Sequence, residues 1–281
     1  MTTVTRNDIA DAVKRLGVMP DDSVIVHSSL KSLGYVEGGA NAVIDGLLDA
    51  LCDGTLIFPT LCQRDWEHVY ENWNMDVDSD VGYITNVFRK RDGALRSNQA
   101  THSVAAIGKD AKFFTETHGI TGKRIGIFGD TPFAEDSPWE KMYQQNTKAI
   151  MIGVNMESCT FRHYAEYVYV NRVLDKLCDS PEHAKMREHV WLYGGKSGAW
   201  PCIESVPLTE AMSERGLVTT TTCGDAALIC VSCRDFVDAC IDAMENVREE
   251  YILDYNKSYN DERHDVYGWL RKARNVLLES K

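Results

Sequence analysis

The 281-residue chain has no surplus of positive charge: 30 Lys and Arg stand against 42 Asp and Glu, a formal net charge of −12. Nucleic-acid binding is driven largely by Lys and Arg displacing counterions, so nucleic acid is excluded as the main partner. No uninterrupted apolar run reaches the roughly 18 residues needed to span a bilayer, so no membrane partner is expected. The start MTTVTRNDIA has neither the basic nor the apolar region of a secretory signal. Nine scattered cysteines, an odd number, read as reduced thiols, and together with the missing leader they point to the cytoplasm. Nucleotide-binding signatures are also missing: there is no G-x-x-x-x-G-K-S/T, and no G-x-G-x-x-G follows a strand. That disfavours nucleotide hydrolysis and nicotinamide redox chemistry. A G-x-S-x-G elbow is lacking too, which counts against an α/β-hydrolase.

What remains is an ordinary globular composition, 44% hydrophobic and 26% charged, long enough to bury a core without disulfides. The acidity either keeps the protein soluble or steers a polycationic small molecule toward it. No repeat, low-complexity tract or linker divides the chain, so one domain over 1–281 is expected, with a Trp- and Asp-rich flap inserted at about 61–97 that includes Trp66, Tyr70 and Trp73. Ile9, Val13 and Leu16 lie at helical spacing after a Thr5 or Asn7 cap, with Gly17 as a stop. The run Val24–Val26 predicts a strand that drops into the polar loop HSSLKSLG. A helix over 41–51 and a strand over 55–60 follow, and further strands are expected at 103–107, 148–154 and 227–231. Alternating helices and strands argue for βαβ units and a sheet covered on both faces. A helix follows Gly153. The stretch 182–207, with Tyr193-Gly194-Gly195, reads as a β-hairpin, and helices over 236–251 and 267–278 close the chain. Ser137-Pro138 and Ser180-Pro181 read as turns. Cys230 and Cys233 form a C-x-x-C inside an apolar run with no second metal pair, which reads as core packing.

The chemistry-bearing residues are few. In F-R-H-Y-A-E-Y, His163 and Glu166 stand at i, i+3 on one helix face, so the carboxylate can hold one ring nitrogen while the other works near neutral pH as a base. Taken alone, a hydrogen-bonded structural histidine is the ordinary reading of such a pair. It is not a zinc site, because His-Glu-x-x-His needs a second histidine, and no metal is expected. The loop HSSLKSLG offers hydroxyls, backbone N–H groups and Lys31, a set suited to phosphate or amide groups.

Taken in order and spacing, HSSLKSLG-x-x-x-G-G, GTLIFPT, LRSNQATHSVAAIG, FAEDSPWEKMY and CTFRHYAEY resemble the aminoglycoside 3-N-acetyltransferase family, over about residues 5–251. The resemblance implies a three-layer α/β/α domain with a mixed central sheet, distinct from the GNAT fold, with acetyl-CoA as acyl donor and a small-molecule amine as acceptor; a homodimer is compatible with it. His163 matches the family base, and Glu166 and Glu204 match carboxylates around it. Ser28, Ser29, Leu30, Lys31 and Ser32 match the loop beside the donor, and Arg96, Ser97, Thr101, His102 and Ser103 a second donor segment. Asp65, Glu67 and Glu135 fall where acidic acceptor contacts are placed. Two departures stand out: Gln99-Ala100 replaces a common His-Pro, and Val206 stands where many members carry Asp.

Overall fold

The computed structural model describes residues 3–65, 67–191, 198–253 and 265–279. Trp66 and the expected turn Tyr193-Gly194-Gly195 lie outside the described residues. The chain opens with β1 (Thr3–Val4) and α1 (Arg6–Arg15), whose cap is Thr5: its side chain accepts from the Asp8 N–H while Asp8 answers on the Thr5 N–H, a reciprocal capping box. Then come β2 (Ser23–Ser28), a 3₁₀ turn (Leu30–Leu33), β3 (Tyr35–Val36), α2 (Gly39–Ala50) and β4 (Thr55–Pro59). The flap holds α3 (Val69–Asn72) and α4 (Tyr83–Phe88) and returns through β5 (Leu95–Arg96) and β6 (Val104–Gly108). After α5 (Ala111–Thr115) and α6 (Pro138–Gln144), β7 (Lys148–Ile152) leads into α7 (Phe161–Leu174). The remainder is α8 (Pro181–His189), α9 (Ser205–Glu214), β8 (Val218–Cys223), β9 (Ala226–Ser232), α10 (Cys233–Glu245) and α11 (Val266–Glu279).

The main sheet has the order β5-β6-β4-β2-β7-β9-β8. Its centre, β4-β2-β7, is parallel, and antiparallel pairs flank it on both sides. Burial on both faces is written in alternation. Val24, Val26, Leu56, Phe58, Ile150 and Ile152 pack with α1, α2 and α4. Ile25, Ile57, Ala149 and Met151 pack on the other face with α5 to α11. Successive strand side chains point to opposite faces, so one sheet feeds two cores, and the architecture is the expected mixed three-layer α/β/α.

Among the described residues the stretch 182–207 is helical at both ends rather than the expected hairpin: α8 runs to His189 and α9 starts at Ser205. Ser180 caps α8, accepting from the His183 N–H, with Pro181 in its first turn, and Ser137-Pro138 starts α6 in the same way. Proline is pre-organised for a first helical turn, where its missing N–H has no partner to lose. The helix expected over 236–251 begins earlier, at Cys233, and ends at Glu245, with a 3₁₀ turn at Glu249–Tyr251. Cys230 and Cys233 are buried and unpaired, as core residues.

Strand order creates the crevice. Strand β2 has β4 on one side and β7 on the other, both parallel to it. The loop after β2 leads to α2 on one face of the sheet, whereas the loop after β7 leads to α7 on the other. Loops that part in this way open a cleft at the carboxyl ends of the strands. Ser32 Oγ bridges them by donating to the Gly153 carbonyl at 2.9 Å. Gly153 sits at φ +62°, and a Cβ there would lie 2.3 Å from that of Ser32, so only glycine lets the two loops meet.

Candidate active site

His163 stands in the first turn of α7, beside that cleft, with its side chain about one fifth exposed. Its Nδ1 lies 3.0 Å from Glu166 Oε2, and Glu166 is fully buried. The carboxylate is held from the opposite direction as well: Trp200 Nε1 donates to Oε2 and the Ile203 N–H donates to Oε1, each at 3.0 Å. A buried carboxylate needs such partners, because an uncompensated one is expensive. With Nδ1–H donating to Glu166, the Nε2 lone pair is the one left to take a proton, the arrangement by which a second residue sets a histidine's tautomer.

The imidazole is boxed by rings. Phe128 meets it edge-on at 4.9 Å between centroids, and His102 lies at 6.4 Å and 81°. Phe128 is itself held by Tyr167, whose hydroxyl accepts from the Phe128 N–H and donates to the Gly129 carbonyl. His102 is fully buried, and that burial, helped by His163 and His118, holds it well below the usual imidazole range. It is therefore a neutral wall of the site.

The expected donor residues divide in two. Ser28 ends β2, and Ser29, Leu30, Lys31 and Ser32 form the turn over the cleft; Lys31 is exposed and makes no ion pair among the described residues. Arg96, Ser97, Thr101, His102 and Ser103 face inward instead. Arg96 gives its donors to the Thr60, Met75 and Val77 carbonyls, to Thr60 and Ser103 hydroxyls and to Cys62, and stacks 4.5 Å over Trp73. Ser97 Oγ bonds His118 Nδ1, and Ser103 Oγ bonds Thr60. This segment braces the flap and the His102 wall.

Glu204 is half-buried next to Ile203, and its own N–H goes to the Tyr251 carbonyl; its carboxylate has no partner among the described residues. At the departed position, Glu157 Oε1 accepts from the N–H groups of Ser205 and Val206, and Pro207 has no N–H, so the start of α9 is satisfied by a carboxylate from the turn before α7. Asp65 bonds His68 and Asn72 inside the flap, Glu67 is exposed, and Glu135 packs against Gly122 on an exposed loop. None of these three bonds the dyad.

Two contributors had no sequence signal strong enough to assign. Trp200, far away in the chain, reaches Glu166. Gln63 lies against His102, 3.3 Å between Nε2 atoms. His27, on β2 just before Ser28, is buried, its Nε2 without a partner among the described residues, and burial pushes it down to about 4. Among the described residues no group of His, Cys, Asp and Glu is arranged to hold a metal ion, and no helix is long and apolar enough to cross a membrane.

This fold, with a histidine–carboxylate pair at its strand ends, is that of the non-GNAT antibiotic acetyltransferases. Residues 25–245 match the family model described as aminoglycoside 3-N-acetyltransferase, and the chain belongs to that family. It is 30% identical over 186 residues to an SPbeta prophage-derived aminoglycoside N(3')-acetyltransferase-like protein, YokD, of Bacillus subtilis, covering 58% of this chain and 65% of the relative. To aminoglycoside N(3)-acetyltransferase VII of Streptomyces paromomycinus it is 29% identical over 182 residues, 58% of this chain and 60% of that one. These matches thus span less than two thirds of either relative. Among solved structures, the AAC(3)-IVa aminoglycoside acetyltransferase apoenzyme is similar at a TM-score of 0.69 and 19% identity, covering 97% of this chain and 99% of that chain. AAC-IIIb, solved with CoASH, is similar at 0.66 and 18%, covering 88% and 98%. At such identities the likeness is one of fold.

Proposed function

We propose that this protein transfers an acetyl group from acetyl-CoA to an amine of an aminoglycoside-like polyamine, with His163 as general base and Glu166 as the residue that orients it. The observation that carries this is the dyad: a buried, triply bonded carboxylate on Nδ1 and a partly exposed ring whose Nε2 is left to receive a proton. The residues present suit the donor. Ser29 and Ser32 hydroxyls, Lys31 with no ion pair among the described residues and the turn at Leu30–Leu33 stand at the end of β2, tied through Ser32 to Gly153 in the loop that leads toward α7, where backbone N–H groups and a lysine can take phosphate and amide oxygens.

When bound, acetyl-CoA supplies an activated thioester carbonyl. The acceptor must arrive as the free amine, since an ammonium has no lone pair to attack with; the chain's part is to hold that nitrogen against His163, which takes one N–H proton as the new C–N bond forms and the C–S bond breaks. His163 then returns that proton to the departing thiolate. The net charge of −12 favours a cationic acceptor through long-range attraction.

The test is a thiol-release assay with acetyl-CoA and kanamycin-type acceptors. The wild type turns over, His163→Ala loses turnover while CoA still stabilises it thermally, and kcat/KM rises from pH 6 to pH 9, since the reaction needs an unprotonated base and an unprotonated amine. A flat profile removes the general-base role. No turnover on any aminoglycoside moves the assignment to another amine.

A further inference from the structure

The hydrogen bonds around His102 have a direction that can be read without seeing a proton. The Gln99 amide oxygen faces two donors, the His102 backbone N–H and the Thr101 hydroxyl, the latter at 3.3 Å. Its Nε2 donates to the hydroxyls of Tyr70 and Thr131, each at 3.1 Å. A backbone N–H can only donate, so the amide orientation is fixed. A Thr101 hydroxyl that donates to Gln99 accepts from His102 Nδ1 at 2.8 Å. That arrangement puts the His102 proton on Nδ1 and a lone pair on Nε2 of the buried neutral ring, in register with the Gln63 Nε2 that faces it. Gln63 must meet that lone pair with its NH₂ group, at 3.3 Å. Its carbonyl oxygen is thereby turned away from the ring, and it has no partner among the described residues.

Gln63 lines a flap cavity of about 250 Å³ whose walls include Asp65, Asn72, Trp73 and Asp80. We propose that Gln63 is an acceptor-contact residue, its carbonyl presented to an N–H or ammonium group of the amine substrate, and that Gln99, Thr101 and His102 are positioning residues that fix that orientation. The inference rests on the amine-acetyltransferase reading and names a residue that sets its acceptor specificity. An oxygen held in place by a relay of buried bonds loses little freedom on binding, and a substrate lacking the matching donor leaves it desolvated and unpaired.

Two readouts test it. Nitrogen-15 spectra of histidine-labelled protein report the tautomer: the expected result is Nδ1–H for His102 in the wild type, and loss of that single state in Gln99→Leu. Calorimetry with kanamycin reports the contact: Gln63→Leu and Gln99→Leu each weaken its Kd roughly tenfold, and the double variant is no weaker than Gln63→Leu. The Kd of CoA moves less than twofold in all variants. An Nε2–H tautomer in the wild type overturns the relay, and an unchanged kanamycin Kd in Gln63→Leu overturns the contact. Because neither readout needs turnover, kanamycin that binds through Gln63 but is not acetylated overturns the proposed reaction and leaves this inference standing.

Discussion

Mild acid should unfold this protein through its buried histidines. His27, His102 and His118 are all buried. Burial pushes His27 and His118 down to about 4 and holds His102 well below 6.5. In an unfolded chain each would take up a proton near pH 6.5, so below that value the unfolded state binds more protons than the native one, and stability falls as the pH falls. The contribution is absent above about pH 6.5 and levels off only below the folded values. At pH 5, a histidine titrating at about 6.5 unfolded and about 4 folded costs about 2 kcal/mol. His27 and His118 together thus remove about 4 kcal/mol and His102 at least half as much again, against a total stability of roughly 5–15 kcal/mol. The carboxylates whose acidity is strengthened by hydrogen bonds, Asp8, Asp49 and Asp78, are exposed and titrate at lower pH. Urea unfolding followed by circular dichroism between pH 8 and pH 5 measures the fall. His27→Met sharpens the test: Nε2 of His27 has no partner to lose, so the variant should match the wild type at pH 8 and exceed it by about 2 kcal/mol at pH 5. A wild type whose midpoint does not move, or a His27→Met that falls in parallel with it, refutes the reasoning.

Glu166→Gln keeps the shape but offers an amide to donors on both sides; kcat/KM should drop roughly 10²–10⁴-fold, with the chain still folded by circular dichroism. Arg96→Lys cannot reproduce a fork that bonds three backbone carbonyls, so the melting temperature should fall by the equivalent of about 3 kcal/mol and limited proteolysis should cut first within the flap. Rapid native alkylation, read by mass spectrometry, should label the exposed Cys52 and Cys178 before Cys159, Cys230, Cys233 and Cys240, because burial pushes Cys230 up to about 11 and Cys159 to about 12 and holds Cys233 and Cys240 well above the usual thiol range; only the thiolate reacts.

The parts of this molecule that follow local rules could be read from residues. Val24–Val26 and Leu56–Phe58 are apolar without interruption because both faces of their sheet are covered, and His163 and Glu166 share a helix face because they are three apart. The errors arose where one signal has two meanings. Ser180-Pro181 opens a turn or a helix with equal local propriety, and the choice fell to α8, whose Met186 is buried in the larger core. β8, four threonines between Val218 and Cys223, offered too little apolar alternation to be noticed; it is an edge strand paired with β9 and pinned by Arg15 of α1 at Thr221 and Thr222. Nothing near Glu166 in sequence announces Trp200 or Ile203, since the bonds that fix the carboxylate close loops of 34 and 37 residues. The segment Arg96–Ser103 was assigned by resemblance, and the partners its side chains find inside the fold, Val77, His118 and Thr60, lie too far from it in sequence to be read locally.

The way Arg96 grips the flap has an evolutionary corollary. Its anchors at residues 60, 75 and 77 are main-chain oxygens, which every amino acid supplies alike. Residues such as Asp65 and Glu67 can therefore be exchanged without loosening the tether, and new acceptor preferences can be tried out on a surface whose placement is secured by bonds in which neither of them takes part.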